Sequence, residues 1–268
     1  MYEFHWGLRQ PPFGTGIDPA RFYPSVTHRE GLARLYYLVE QGHRVGLLLG
    51  AAGMGKSLLL ELLAAELRRQ RISVVRASAL GAEPEEFLAR LLMGLGAGRP
   101  RGPMGVASCW RALEDRLIEN RYQQIPTAIL VDDADRAPRS VPQHMLRLAE
   151  FDPGTGARLT MVLAGRYDRM ERLGLDLLDL AWLRADLEPW DLPETVGFIQ
   201  AALERAGTST MVFDDEALRR LHELAGGVPR RIVQLADLAL AAGAGEKRTK
   251  IDARTVETAC QELGLVEV

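Results

Sequence analysis

The stretch Gly50-Ala-Ala-Gly-Met-Gly-Lys-Ser57, GAAGMGKS at positions 50–57, decides the fold. It fits the pattern Gly-x4-Gly-Lys-Ser. The apolar run RVGLLLG at 44–50 precedes it and predicts a short buried strand. The strong helix formers SLLLELLAAELRRQ follow at 57–70. A glycine-rich turn between a strand and a helix points backbone N–H groups and the helix N-terminus at one place, which indicates a phosphate-binding loop.

The loop predicts a role for each of its residues. Lys56 is expected to reach the β- and γ-phosphates and to act in catalysis, and the Ser57 hydroxyl to ligate Mg²⁺. Lys56 is one of three lysines among 33 lysines and arginines, which suits a cradle that accepts a compact ammonium but not a wide guanidinium. The alternative is a surface lysine on a glycine-rich turn. The predicted nucleotide contacts of the loop are Gly50, Ala51, Ala52, Gly53, Met54, Gly55, Lys56, Ser57 and Leu58.

A second motif, AILVDDAD at 128–135, is an apolar strand that runs into acids. At the carboxyl end of a parallel strand, Asp132 is predicted to hold Mg²⁺, directly or through water. Asp133 is predicted to orient or deprotonate the attacking water. Many ATPases that combine a phosphate-binding loop with such an acidic strand end have glutamate at this position, and the shorter aspartate predicts slow hydrolysis. Asp135 is expected to cap the helix that follows.

The rest of the pattern predicts a three-layer α/β fold with a parallel sheet, followed by a small all-helical lid domain. Strands and helices alternate up to about Trp190, and four amphipathic helices follow it. The expected ranges are an entry segment at 1–43, an α/β core at 44–190 and the lid at 191–268. Further predicted strands lie at 72–78, at 127–135, where the strand runs into acids, and at 158–166. Further helices are predicted at 84–96, 108–121 (with Ser108 as a candidate N-cap) and 141–151.

Composition limits the classes of partner. The 268 residues carry a net charge of −3 with a pI near 6.0, so no global field attracts nucleic acid or anionic membrane. Two distant cysteines, Cys109 and Cys260, match no metal or redox spacing. No apolar run reaches the roughly 18 residues of a membrane helix, and the stretch MYEFHWGLRQPPF at 1–13 has no apolar core like that of a signal peptide. We expect a cytoplasmic protein without a membrane segment.

With these residues in place, the chain resembles AAA+ ATPases of the secretion-pathway protein A type (ExeA-like). That type is related to TniB/TnsC-like transposition regulators and to origin-recognition ATPases. The resemblance implies that Arg230, in GGVPRRI, reaches the nucleotide from the lid as a sensor-2 arginine, with the adjacent Arg231 as the alternative. It makes Tyr23, Pro24 and His28 candidates for contact near the adenine, with core packing as the alternative. ATP and Mg²⁺ are the implied ligands, and a ring or filament the implied assembly. Many such relatives continue into a membrane helix and a cell-wall-binding domain, which are not expected here.

The chain also departs from the family pattern. The tip of the strand at 158–166 reads Gly165-Arg166, where a Gly-Gln pair is usual. Arg166 either stabilises transferred charge in cis or lies on the surface. The family also tends to have a Gln-Arg pair before the final strand, as a candidate trans-acting arginine finger. Here that pair falls on Asp179-Leu180, and the nearest arginine is Arg184. Because an arginine finger contributes about 10³–10⁵ in rate, its loss predicts a weak ATPase.

Three functions therefore remain open. The first is an ATPase that signals its nucleotide state to a protein or DNA partner. The second is an ATP-gated regulator that binds DNA, with a solvated arginine-rich surface as the alternative. The third is an ATP sensor that does not hydrolyse. The candidate DNA contacts are Arg99, Arg101, Arg136, Arg139 and Arg147.

Overall fold

The fold is described from a computed structural model, which defines residues 2–14, 16–98, 105–152, 154, 156 and 158–264. The chain divides into two compact units. The α/β unit comprises Val26–Ala52 and Lys56–Leu187. The helical unit comprises Met1–Ser25, Gly53–Gly55 and Glu188–Val268. The ranges expected from the sequence for three separate domains stay a prediction.

The α/β unit contains one five-stranded sheet in the order β2-β3-β4-β1-β5, and every neighbouring pair is parallel. Every residue of β1, β3 and β4 is buried, as their continuous apolar sequences predict. Because the strands are parallel, their carboxyl ends meet at one edge of the sheet. The strands are β1 (Val45–Gly50), β2 (Ser73–Ser78), β3 (Thr127–Asp132), β4 (Leu159–Gly165) and β5 (Ala181–Leu187).

Helices cover both faces of this sheet, which confirms the predicted α/β layers. Helices α1 and α2 pack on one face. The other face shares a single apolar cluster with α3, α4, α5 and α6, centred on Phe87 and Trp110. The helices are α1 (Val26–Glu40), α2 (Lys56–Arg69), α3 (Pro84–Gly94), α4 (Val106–Tyr122), α5 (Pro142–Glu150) and α6 (Leu175–Asp179).

The helical unit contains α7 (Leu192–Ala206), α8 (Asp215–Ala225), α9 (Pro229–Gly245) and α10 (Ala253–Glu262), so the predicted helical C-terminal region is present. Aspartates at the N-caps fix three of these helix starts. Asp191, Asp214 and Asp252 each accept a hydrogen bond from a backbone N–H three residues ahead, at 2.7–2.9 Å.

The first 25 residues contribute to the core of the helical unit. Trp6 and Phe13 are buried in the same apolar cluster as Trp190 and Phe198. The Trp6 Nε1–H donates to the Leu240 carbonyl at 2.9 Å, which satisfies the one polar atom of that indole. This segment is therefore packed structure rather than a loose arm.

Two expected helix caps are wrong. Helix α4 begins at Val106 after the N-cap Gly105, and Ser108 stands at the third helical position, where its hydroxyl accepts from the Gly105 N–H. Asp135 lies inside a short 3-10 turn, and the next helix, α5, begins after Val141. Ser108 thus supports the start of α4 from inside the first turn rather than as its N-cap, and Asp135 lies too far before α5 to cap it.

Both cysteines are buried, and neither forms a disulfide. No helix among the described ranges is long and apolar enough to cross a membrane.

Candidate functional site

The glycine-rich loop joins the end of β1 to the start of α2. Gly50 is the last residue of β1, and α2 begins at Lys56. Gly53 and Gly55 both have φ near +86°, a left-handed conformation that side chains with a Cβ rarely adopt. Met54 between them is fully buried and anchors the turn. The two glycines are therefore required by the backbone path of the loop.

Lys56 is held by the loop that it follows. Its Nζ donates to the carbonyl oxygens of Gly50 and Ala51, at 2.8 Å each. Burial lowers the pKa of Lys56, while the negative charges of Asp135, Asp132 and Asp133 oppose that change. The ammonium thus faces the acidic end of β3, as the two motifs predict.

Ser57 stands in the first turn of α2, where backbone N–H groups have no partner within the helix and the helix dipole favours anions. The same turn can thus bind phosphate oxygens through its N–H groups and offer the serine hydroxyl to a cation.

Asp132 is the last residue of β3, and only 5% of it is exposed. Its Oδ1 accepts from the Asp133 N–H at 3.0 Å, and its Oδ2 accepts from the Arg76 guanidinium at 2.8 Å. Each carboxylate oxygen has a further lone pair. Sequence reasoning did not find Arg76, because nothing in the strand SVVRAS marks its fourth residue as different from other surface arginines.

The residues present fit Mg²⁺. A buried carboxylate and a serine hydroxyl are hard oxygen ligands, which this cation prefers. Within the described residues, no group of three or more His, Cys, Asp or Glu side chains forms a closed metal site. Mg²⁺ is commonly held by one or two carboxylates together with substrate phosphates, so a closed protein cage is not needed.

Asp133 follows with a left-handed backbone, φ 51° and ψ 35°. Its Oδ2 accepts a long hydrogen bond of 3.4 Å from the Ser78 hydroxyl at the end of β2. Burial, and then the charge of Asp132, raise the pKa of Asp133. A raised carboxyl pKa moves this group toward the range that suits a general base.

Asp135 is almost fully buried, and its Oδ2 has no hydrogen-bond partner among the described residues. It approaches the tip of β4 so closely that a Cβ on Gly165 would lie 2.9 Å from its Oδ1. This close approach explains why glycine occupies position 165. Of the three acids, Asp135 opposes the lowering of the Lys56 pKa most strongly, which its sequence position does not reveal.

Arg166 follows the last residue of β4. Its guanidinium pairs with Asp168 through two hydrogen bonds, Nε to Oδ1 at 3.0 Å and NH2 to Oδ2 at 2.8 Å. These bonds raise the pKa of Arg166. Arg184 on β5 is also paired with an aspartate, through a hydrogen bond of 2.7 Å from its Nε to Asp186 Oδ1. Both arginines are thus bound to carboxylates two residues away.

Two predicted nucleotide contacts belong to the helical unit. Arg230 is the second residue of α9, and its backbone N–H donates to the Gly53 carbonyl at 3.2 Å. Tyr23 packs against the rings of Trp190 and Phe198, with centroids 5.5 and 5.9 Å away, which agrees with its core-packing alternative. Contact of either side chain with nucleotide stays a prediction.

The structure describes three of the candidate DNA contacts. Arg136 and Arg139 are exposed, and Arg136 lies 3.8 Å from Asp133. Arg147 stacks over the Trp110 ring and pairs with Glu114 at 2.7 Å. Arg99 and Arg101 lie outside the described residues.

A parallel sheet with a glycine loop between β1 and α2, and an acid at the end of β3, defines the class of P-loop nucleotide-binding ATPases. The family described as "AAA domain" matches residues 39–173. The chain belongs to this family, and its class is therefore that of a P-loop ATP hydrolase.

A curated relative supports the assignment. The chain is 29% identical over 274 residues to general secretion pathway protein A of Aeromonas hydrophila. The match covers 98% of this chain and 48% of that protein, so the chain spans about half the length of its relative.

Solved structures share the fold. Cdc6p from Pyrobaculum aerophilum superimposes with a TM-score of 0.73 at 17% identity, over 91% of this chain and 71% of the other. The Drosophila ORC bound to DNA gives a TM-score of 0.71 at 15% identity, over 98% and 65%. At these identities the likeness shows the fold alone.

Proposed function

We propose that the chain binds Mg-ATP, hydrolyses it slowly and uses the change of nucleotide state to signal to a partner. The observation that carries the proposal is the meeting of Lys56, Asp132 and Asp133 at the carboxyl edge of the sheet, beside the glycine loop. The loop N–H groups and the first turn of α2 would bind the phosphates of the substrate, and Lys56 would add a positive charge.

The catalytic roles follow from the positions of the side chains. Ser57 and Asp132 would hold Mg²⁺, which supplies charge neutralisation on the phosphate oxygens. Asp133 would orient the attacking water and accept its proton. Arg166 would have to leave Asp168 before its charge could act on the transferred phosphoryl group. Arg230 would respond to the nucleotide from α9.

Slow turnover is supported by two features. Asp133 carries a short side chain on a left-handed backbone, which limits its reach toward a water. The arginines nearest to the expected trans-acting position and to the β4 tip, Arg184 and Arg166, are both paired with aspartates. A site that lacks a free arginine finger forgoes a factor of about 10³–10⁵ in rate.

Phosphate release from Mg-ATP by the full chain tests the proposal, measured over a series of protein concentrations. We expect a low rate that is lost in Lys56→Ala and Asp133→Asn. A rate per subunit that rises with concentration would support assembly into a ring or filament. Tight Mg-ATP binding without phosphate release at any concentration would refute hydrolysis and favour the non-hydrolysing sensor.

A second candidate function is ATP-gated DNA binding. It is supported by the exposed Arg136 and Arg139 next to the acidic strand end and by the likeness to an origin-recognition complex solved with DNA. Phosphate contacts weaken steeply as salt rises. Fluorescence anisotropy with duplex DNA, at 50 mM and 200 mM salt in ATP and in ADP, tests it. No ATP-dependent binding at low salt would remove this function.

A further inference from the structure

Arg76 joins two carboxylates that lie on different elements of the α/β unit. Its NH2 contacts Asp132 Oδ2 at 2.8 Å, and its NH1 contacts Glu61 Oε2 at 3.0 Å. The side chain is mostly buried, with 22% exposed, and its Nε has no hydrogen-bond partner in the part of the chain that the structure describes. The guanidinium is therefore held by these two carboxylates at its two ends.

The bridge connects the two elements that carry the proposed Mg²⁺ ligands. Glu61 lies four residues after Ser57 on α2, so both side chains project from the same face of that helix. Asp132 ends β3, which pairs directly with the strand of Arg76. Through Arg76, the helix of Ser57 and the strand of Asp132 are tied by side chains as well as by backbone packing.

The charges of the bridge act directly on a cation at Asp132. A guanidinium keeps its charge at every accessible pH, and here it occupies one oxygen of a nearly buried carboxylate. It lowers the negative potential that a cation would meet. Glu61 attracts the same guanidinium and so weakens its hold on Asp132. Glu61 also lies 3.9 Å from Arg68, a longer and more exposed contact.

We propose that Arg76 is a positioning residue that holds Asp132 and, together with Glu61, sets the Mg²⁺ concentration at which the site binds nucleotide. The inference rests on the proposed function. Removal of the Arg76 charge lowers the required Mg²⁺ concentration. Removal of the Glu61 charge leaves Arg76 bound to Asp132 alone and raises the required Mg²⁺ concentration. The opposite signs separate this role from general damage, because two destabilising substitutions would shift binding in the same direction.

Stability provides a second readout. Without Arg76, the carboxylate of Asp132 is a buried charge without its partner, which is strongly unfavourable. Arg76→Met is therefore expected to melt at a lower temperature in chelator and to recover most of the loss in Mg²⁺ with ADP. If the arginine had only a structural role, the melting temperature would fall by the same amount in chelator and in Mg²⁺ with ADP.

The experiment measures binding of a fluorescent ADP analogue to the full chain, from chelator up to millimolar Mg²⁺. Even in a water-like medium, a unit charge a few ångströms from a divalent cation changes its affinity by about tenfold. We expect Arg76→Met to lower the half-saturating Mg²⁺ concentration about tenfold, and Glu61→Gln to raise it about threefold. Arg69→Met and Glu66→Gln are the matched controls, since they break an exposed pair of 3.2 Å on the same helix and should change nothing.

Shifts of both variants in the same direction, or no shift, would overturn the role of Arg76 and leave the proposed function standing. If Arg76→Met does not fold, Glu61→Gln alone decides the sign, because it keeps the pair between Arg76 and Asp132. If the wild-type chain binds no nucleotide at any Mg²⁺ concentration, the proposed function fails, and this inference falls with it.

Discussion

Replacement of Lys56 by arginine keeps the charge and should still disable the site. Two carbonyl oxygens, of Gly50 and Ala51, converge on the single Nζ atom at 2.8 Å each. An ammonium has three N–H donors on one atom, so it can hold both carbonyls and offer the third to a phosphate. Arginine divides its five N–H donors among three nitrogens in a rigid planar fork, so a terminal nitrogen that holds both carbonyls has no donor left where the third N–H of lysine would point.

The expected loss of nucleotide affinity follows from that one hydrogen bond to a phosphate. A hydrogen bond to a charged group contributes about 1.5–3 kcal/mol, which corresponds to about 10- to 150-fold in affinity. Lys56→Arg should therefore bind Mg-ADP about as weakly as Lys56→Met, within about threefold, because the retained charge cannot be placed where the third N–H pointed.

Isothermal titration with Mg-ADP measures both variants against wild type, and circular dichroism with thermal melts establishes that each is folded. Lys250→Arg is the matched control, since it makes the same exchange at an exposed position and should bind as wild type does. If Lys56→Arg kept wild-type affinity within threefold while Lys56→Met lost it, the argument from donor number would be refuted and charge alone would account for the lysine.

Three further outcomes are expected. Asp133→Glu should release phosphate faster than wild type, while its left-handed backbone costs about 1 kcal/mol of stability; an equal or slower rate would show that reach does not limit turnover. Burial lowers the pKa of His144 below 6.5, so the unfolded chain binds that proton more readily and stability falls as pH drops below 6.5. His144→Asn, which can still accept a hydrogen bond from Trp110, should reduce this dependence of stability on pH in thermal melts from pH 5 to 8. An unchanged pH dependence would show that another group causes it. Asp214→Ala should lose about 1 kcal/mol in urea unfolding through the lost N-cap of α8, whereas the adjacent Asp215→Ala should lose clearly less.

The sequence predicts the elements that are both buried and regular. Strands β1, β3 and β4 are continuous apolar runs, and each is buried along its whole length. Strand β5 does not meet that criterion, because it lies at the edge of the sheet, where exposed Trp182 and Arg184 alternate with partly buried residues. A resemblance to a family was needed to expect a final strand there.

The candidate site divides in a similar way. The loop and Asp132 carry motifs, so their spacing along the chain is enough to predict them. Arg76 and Asp135 carry none, since their significance depends on which strand lies beside which and on how closely β4 approaches the acidic turn. Pairing between strands that are distant in sequence is set by the whole sheet, so it cannot be predicted from the pattern of a single sequence.

The left-handed backbone at position 133 gives a physical reason for the short acid. Among residues with a side chain, aspartate and asparagine tolerate this conformation better than most. Glutamate would therefore reach further but would strain the backbone. The pairs of Arg166 with Asp168 and of Arg184 with Asp186 act differently, because ion pairs between exposed side chains are screened by solvent and contribute little to stability. Breaking such a pair is a small cost beside the energy of a protein or DNA contact. Under the proposed function, the basal rate is limited both by the reach of Asp133 and by the pairing of the two arginines, and a partner could release either arginine at little cost in stability.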